Sequence, residues 1–422
     1  MNTRELAVKT LYEITYNGAF SNIAVKNALA GKNMSKQDKD FFSRIVYGTL
    51  DKELTLDYMI NRLSKVKLKK ISKYILIILR TGLYQIKFMD SVPDRAAVNE
   101  SVRLARRYGH SASAGYVNGL LRNASVTEIP YPEEKTEYLS VKYSFTKDMC
   151  EKWINDFGFE FTERLMQAFE KPQSLVLRPN TLRISAERLC EKLKERGVSA
   201  EIRDCAVIAD GFDIAGDTLY NEGYYTVQDM AAMQSALILK PEPGETVIDM
   251  CAAPGGKTTQ MAEMMNNKGK ILAFDIYAHK VELIKKNAER LGITIISAQV
   301  GDASRLVKEL CGKADKVLCD VPCSGTGIIG RKPDIKRKRR TDVENITTLQ
   351  KQILENAAKY LKQGGALLYS TCSIEKEENN GVTDRFIAER SGFEKIYEKT
   401  FYPHIDGTDG FYVCMIRKVR ND

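Results

Sequence analysis

No stretch of this sequence holds the roughly 18 continuous apolar residues that a membrane helix needs, and no two of its nine cysteines form a CxxC pair. The first absence excludes a helical membrane protein. The second, with an odd count at irregular spacing, argues against a disulfide framework or a zinc site and makes a reducing cytoplasm the expected setting. The opening stretch MNTRELAVKTLYEITYNGAF has no apolar signal region, and the closing IRKVRND has no lipidation signal, so an unanchored protein is expected. A phosphate loop is missing too. The tail GGKTT invites that reading, but the motif needs a glycine five positions before Gly256, and Cys251 stands there.

What is present is an ordinary globular composition, 43% hydrophobic and 28% charged over 422 residues, which is long enough for two to three domains. The net charge of +9 is unevenly placed. Residues 1–126 carry 21 Lys and Arg against 10 Asp and Glu, whereas the remainder carries 43 against 45. A basic first third beside a near-neutral remainder points to an anionic partner, with nucleic acid the leading candidate. A further basic cluster is RKPDIKRKRR, Arg331 to Arg340.

The first third reads as all helix. Ile71, Ile75, Ile78, Leu79 and Ile86 recur at helical spacing, as do Phe42, Ile45, Val46, Leu50 and Leu54, and no period-two run appears. A helical domain is expected over 1–126, with a Pro-containing linker over 127–139. Residues 140–230 read as a small α+β unit, with strands in SLVLRPN and VSAEIRDCAVIAD around the helix SAERLCEKLKERG. From 231 to 422 strands and helices alternate, as in a parallel sheet covered by helices, and FYVCMIRK is a further strand candidate. Ligands of such sheets bind beyond the carboxyl ends of the strands.

The first of these strands runs into VIDMCAAPGGKTTQ. There the small residues Ala252, Ala253, Pro254, Gly255 and Gly256, with Lys257 and Thr258, form a turn that lets backbone approach a ligand at a helix start. Asp275 ends the second strand, where an acid takes a ribose diol, and Asp302 ends the third, where a carboxylate can accept from an adenine amino group. Each alone reads more readily as a turn or helix cap. Together beside the glycine turn they favour an adenosyl ligand, and S-adenosylmethionine fits because it has no phosphates to clamp. The fourth strand ends in Asp320-Val321-Pro322-Cys323 and the fifth in YSTCS with Cys372. Neighbouring strand ends would bring two thiols and a carboxylate together, whereas the other cysteines read as small buried hydrophobes.

The motifs DMCAAPGGKT, DVPCSGTG and YSTCSIEKEEN resemble those of the RNA 5-methylcytosine methyltransferases of the Sun group. NGAFSNIAVKNAL, RTGLYQIKF and YVNGLLRN resemble the NusB-type helical RNA-binding domain. The combination covers nearly the whole chain and is similar to the RsmB type of small-subunit ribosomal RNA cytosine-C5 methyltransferase. The resemblance implies a NusB-like helical domain, an RRM-like α+β unit and a Rossmann-like methyltransferase domain, together acting as a cytoplasmic monomer on ribosomal RNA without a metal. It also implies Cys372 as nucleophile and Cys323 in the release step. Asp320 suits the acid at N3 of the base, bound cofactor lies near it, and Lys257 orients the base. RNA contacts are expected from Arg331, Lys332, Asp334 and Lys336. Arg337 departs from the family, which often has an aromatic residue after this Pro-Asp-Ile-Lys step. Two other readings stand beside this one. The first is an RNA-stimulated NTPase using GGKTT, against which Cys251 argues; the second is a non-catalytic RNA-binding factor, against which the paired thiols argue.

Overall fold

The computed structural model of the chain describes residues 2–172, 174–212, 214, 216–337 and 343–420. The chain divides into two compact units, one of Met1–Glu170 with Lys332–Arg339, the other of Lys171–Arg331 with Arg340–Asp422. Among the described residues no helix is long and apolar enough to cross a membrane.

The first unit is helical, as its periodicity predicts. Its helices include Thr3–Asn17, Lys36–Asp51, Glu53–Leu63, Lys73–Phe88, Asp94–Tyr108 and Ser111–Val126. Local signals set their ends. The Asn2 side chain accepts from Glu5 N and Ser35 from Asp38 N, each at a helix start. The apolar stripes close one core, in which Phe42, Ile45, Val46, Ile75, Ile78 and Leu79 are buried. Leu54 falls on the helix after Phe42–Leu50, because the first helix is capped at Lys52.

Beyond residue 126 the sequence-based boundaries shift. The expected linker 127–139 contains the start of the helix Lys135–Tyr143, and Lys147–Phe157 and Phe159–Phe169 follow within the same helical unit. Hydrogen bonds explain the attachment: Thr55 Oγ1 donates to Val141 O at 2.6 Å and Leu54 N to Ser144 Oγ at 3.0 Å. Phe145, Trp153 and Phe169 are buried together beside them. The strand-containing region therefore begins after residue 170 rather than at 140.

The second unit holds two sheets. The smaller comprises β1 (Leu175–Pro179), β2 (Ser199–Arg203), β3 (Ala206–Asp210) and β4 (Tyr225–Val227) in the antiparallel order β2-β3-β1-β4. The stretch VSAEIRDCAVIAD, read as one strand, is two, because Asp204 takes a left-handed φ of 52° and reverses the chain. The larger sheet comprises β5 (Thr246–Asp249), β6 (Lys270–Asp275), β7 (Ile296–Val300), β8 (Ala314–Asp320), β9 (Leu361–Thr371), β10 (Phe393–Phe401) and β11 (Phe411–Lys418). Its order is β10-β11-β9-β8-β5-β6-β7, parallel except for β11, which pairs antiparallel with both β9 and β10. The helix Ala278–Leu291 buries Val281, Ile284, Ala288 and Leu291, the face its spacing predicts. From β5 the chain runs one way through β6 and β7 and then the other through β8 and β9. The carboxyl ends of β5 and β8 thus flank the reversal at which doubly wound sheets bind ligands.

Candidate active site

At the end of β5, Ala252 N donates to Phe274 O at 2.8 Å and Gly255 N to Ala252 O at 2.7 Å, folding the small-residue stretch into a tight turn. Gly255 has φ 103°, a left-handed conformation that a side chain would strain, and a Cβ there would lie 3.3 Å from the Ile284 backbone. The helix Gly256–Met264 begins at once. The turn walls a cavity of about 220 Å³ whose lining includes Ala252, Ala253, Pro254, Gly256, Lys257, Asp229, Asp249 and Asp320.

With Asp320 paired to Lys257 and Asp229 to Arg331, Asp249 is the carboxyl of this lining without a basic partner, which suits a cationic ligand better than a triphosphate and is the physical argument against the NTPase reading. Asp249 is 1% exposed. Its Oδ2 accepts from Thr258 Oγ1 at 2.7 Å, while its Oδ1 has no partner. Burial pushes its carboxyl up to about 7, with Thr258 acting the other way and the charge of Asp320 adding to the rise. A sulfonium-bearing amino acid supplies the positive charge and donors this arrangement lacks. S-adenosylmethionine therefore fits the residues present.

The four residues expected to do chemistry come together beyond the carboxyl ends of β5, β8 and β9.

 Lys257 Nζ donates to Asp320 Oδ2 at 2.7 Å, and Ser370 Oγ donates to Asp320 Oδ1 at 2.8 Å. The Cys323 and Cys372 sulfurs are 3.1 Å apart, both half-buried and neither in a disulfide. Lys257 also lies over the Phe411 ring, 5.1 Å from its centroid. Burial alone would lower the Lys257 ammonium, but Asp320, by charge and hydrogen bond, and the sulfur of Cys372 hold it above its ordinary value. The hydrogen bond to Cys372, then burial and the negative charges of Cys372, Glu378 and Asp320, push the Cys323 thiol well up. The pair is asymmetric in its surroundings: the Cys323 thiol is the one pushed up, and the sulfur of Cys372 acts on the Lys257 ammonium.

The other predicted positions are distributed differently. Asp275 ends β6, 8% exposed, where its Oδ1 accepts from Tyr277 N at 3.2 Å and lies 3.9 Å from Lys280. Asp302 accepts from Ser304 N at 3.0 Å and Ser304 Oγ at 2.6 Å, a turn-capping arrangement. It lines a separate, smaller cavity with Gly301, Phe274 and Tyr360. Those bonds, the Ser304 hydroxyl first, hold its carboxyl below the usual range.

The expected RNA contacts need correction at Lys336. It is 2% exposed, and its ammonium donates to Asp51 Oδ1 at 2.6 Å and to Tyr143 O at 3.2 Å inside the helical unit, so it is not offered to a ligand. Asp334 accepts from Ser21 and Arg337 in that unit, and Arg337 also pairs with Glu53. In the other unit, Arg331 bridges Asp409 at 2.6 Å and Asp229 at 3.0 Å. Lys332 is exposed. Lys338, Arg339 and Arg340 of the same basic cluster lie outside the described residues.

Several residues of the site escaped sequence reasoning. Asp249 stands at a strand end just as Asp275 does, so the same rule applied to β5 would have found it. Arg178, on β1, is 3% exposed and donates to Gly256 O at 2.7 Å, Gln228 Oε1 at 2.9 Å and Glu263 Oε1 at 2.8 Å, gripping the helix that follows the glycine turn. No local pattern announces it. The spacing GxGxxG is present at Gly325–Gly330, but the structure has a 3₁₀ turn there, Thr326–Ile328, instead of a strand-to-helix phosphate turn.

Comparison with known proteins decides the family. The profile described as 16S rRNA methyltransferase RsmB/F matches residues 236–417, that of the NusB family matches 1–125, and that of the RsmF/B-like ferredoxin-like domain matches 147–217. The chain is 35% identical to a Bacillus subtilis protein named as a probable ribosomal RNA small subunit methyltransferase B, over 99% of each chain. It is 31% identical to the Proteus mirabilis ribosomal RNA small subunit methyltransferase B, again over 99% of each. The chain belongs to the ribosomal RNA small subunit methyltransferase B family. A crystal structure of a methyltransferase homolog from Pyrococcus horikoshii, 28% identical, covers 68% of this chain and all of its own with a TM-score of 0.61. The fold is therefore a NusB-type helical domain, a ferredoxin-like domain and a Rossmann-like methyltransferase domain, and the methyl donor is S-adenosylmethionine.

Proposed function

We propose that this methyltransferase modifies C5 of a cytosine in small-subunit ribosomal RNA through a covalent bond between Cys372 and C6 of the base. The observation that carries this reading is the pair of thiols 3.1 Å apart beside the Lys257–Asp320 pair. Cytosine C5 is a weak nucleophile, and addition of a thiolate at C6 makes it enamine-like. The Cys372 thiolate adds to C6 while Asp320 gives a proton to N3, and Lys257, already hydrogen-bonded to Asp320, replenishes it. S-adenosylmethionine, held by residues 252–258 with Asp249 and Asp275, supplies an electrophilic methyl group. Once C5 carries the methyl group, its remaining proton must leave so that the C6–sulfur bond can break by elimination. In this reading Cys323, after its own thiol proton has passed to solvent, takes the C5 proton, the C6–sulfur bond breaks with its electron pair returning to Cys372, and N3 returns its proton through Asp320 to Lys257. A reducing cytoplasm keeps both thiols reduced.

Base-modifying enzymes reach their targets in single strands or by flipping them out. The ferredoxin-like domain, the basic helical domain and exposed Lys332 are the proposed RNA-holding parts. The names of the relatives, which specify small-subunit ribosomal RNA, support the substrate class.

The test uses ribosomal RNA stripped of the modification and bisulfite sequencing. The wild-type protein protects one cytosine. Cys372→Ala abolishes the protection and gives no protein–RNA adduct on a denaturing gel. Cys323→Ala blocks turnover and accumulates the adduct. Adducts formed by Cys372→Ala instead would reverse the two roles, and an unchanged cytosine map would remove the ribosomal substrate.

A further inference from the structure

Glu378 is 1% exposed, and among the described residues no lysine or arginine pairs with it. A carboxylate so placed is costly to bury unless its oxygens are well supplied with donors. Its Oε2 accepts from Ser324 N at 2.8 Å and Gln350 Nε2 at 3.1 Å, and its Oε1 accepts from Ser373 Oγ at 2.9 Å. Ser324 directly follows Cys323, and Ser373 directly follows Cys372. Gln350 also donates to Pro322 O at 2.9 Å, so the Cys323 loop is held on both sides of the thiol. Further bonds close the loops on each other. The Ser324 and Ser373 hydroxyls are 3.1 Å apart, and Gly327 N donates to Cys372 O at 2.9 Å. Gly327 is also pressed against Gly410, where a Cβ would come within 1.9 Å of the Gly410 carbonyl oxygen, so the loop has no room to drift.

We propose that Glu378 is a positioning residue that clamps the Cys323 and Cys372 loops together and thereby gives the two thiols their separate tasks. The inference deepens the reading of Cys372 as nucleophile and rests on it. Two effects follow from one carboxylate. Its three accepted hydrogen bonds fix the distance between the sulfurs. Its charge, which is one of those acting on Cys323, disfavours a thiolate there, so the attacking thiolate forms on Cys372. The isosteric Glu378→Gln change removes the charge and turns one acceptor into a donor facing another donor.

The experiment measures iodoacetamide alkylation of Cys323 and Cys372 separately, by peptide mass spectrometry of the full-length protein across a pH series. In the wild type, Cys372 reacts about tenfold faster than Cys323 near neutral pH. In Glu378→Gln the ratio narrows at least about threefold because Cys323 speeds up, and its rate profile moves to lower pH. The kcat for methyl transfer falls about 10- to 100-fold while KM for RNA stays within about twofold. Ser373→Ala, which keeps the carboxylate but removes its Oε1 donor together with that hydroxyl's bonds to Ser324, Thr326 and Glu375 N, shifts the ratio in the same direction by less and serves if the glutamine variant does not fold. A wild-type alkylation ratio in both variants overturns the proposal, as does a lowered melting temperature with ratio and kcat unchanged. A wild-type preference for Cys323 also overturns it. Alkylation needs no RNA, so a wrong ribosomal substrate would leave this result standing.

Discussion

Asp249 places one carboxylate oxygen on Thr258 and leaves the other without a partner at the wall of the glycine-turn cavity. Because burial raises its folded pKa to about 7, well above the ordinary value, the native state holds this proton more tightly than the unfolded chain does. Its contribution to stability is therefore fully present at low pH and is lost as pH rises through about 7. Asp249→Asn keeps an acceptor for Thr258 and cannot ionise, so its melting temperature gains on the wild type from about pH 5 to about pH 8. A difference that does not change with pH would mean that the carboxyl titrates in its ordinary range. Saturating S-adenosylmethionine should shrink the wild-type loss, since a bound cation stabilises the ionised form. At this scale the sequence was most readable where chemistry demands a rare residue in a fixed place. Cys323, Cys372, Asp320 and Lys257 were legible because a thiol or an acid at a strand end next to a turn is hard to explain by packing. Asp302 is less readable, because an acid at a strand end serves a turn as well as a ligand, and here its Oδ1 caps Ser304 while the residue lines a cavity. Lys336 misled because a basic run says nothing about which member turns inward.

Elements tell a similar story. The helices of the first 126 residues and the five parallel strands carry strong periodicity or apolar runs, and both were visible. Strand β10 was not. It is an edge strand whose Glu394, Lys395, Glu398 and Lys399 protect it from pairing with other chains, and those charges hide its strand character. Strand β4 is only three residues long and leaves little pattern to read. What no local pattern could disclose is the grip of one element on another. Arg178 reaches from β1 to Gly256 O at the start of the cofactor-turn helix and pairs with Glu263 near its end, whose carboxyl burial pushes up to about 7 against the pull of Arg178. Removing one partner of a buried pair strands the other, so Arg178→Ala should cost about 3–5 kcal/mol in a denaturant titration. It should also weaken S-adenosylmethionine binding in calorimetry, because the Gly256 carbonyl loses its charged donor and keeps only weaker ones such as Thr259 Oγ1. The double change Arg178→Met with Glu263→Met should recover most of the stability, as apolar replacement of a buried pair is often tolerated. A loss below about 1 kcal/mol for Arg178→Ala, the scale of an exposed pair, would show that this contact does not hold the turn.

For the whole molecule, the most informative quantity in the sequence is where its charge lies. The helical unit owes its excess to stretches such as residues 58–89, which contain no aspartate or glutamate. Within them Arg62, Lys65, Lys67, Lys69, Lys70 and Lys73 are all exposed, around a short 3₁₀ turn at Leu68–Lys70. Among the described residues none of these six pairs with an acid, whereas Arg80, twenty-odd positions from its partners, is buried against Glu53 and Asp57. A solvated face chosen for solubility would mix both signs. A face that meets a phosphate backbone would not. Each phosphate contact with a single-stranded RNA steepens the dependence of log affinity on log salt by about 0.7. Replacing Lys65, Lys67, Lys69 and Lys70 together with glutamine should therefore flatten the slope for ribosomal RNA by about 2 to 3 and weaken binding similarly for any sequence. Turnover at saturating RNA should stay near the wild-type rate, because none of these residues belongs to the methyltransferase domain. Fluorescence anisotropy over a salt series measures the slope directly. An unchanged slope with the four lysines replaced would assign the loop to solvent and move the search for the RNA track to the remaining cations of the helical unit.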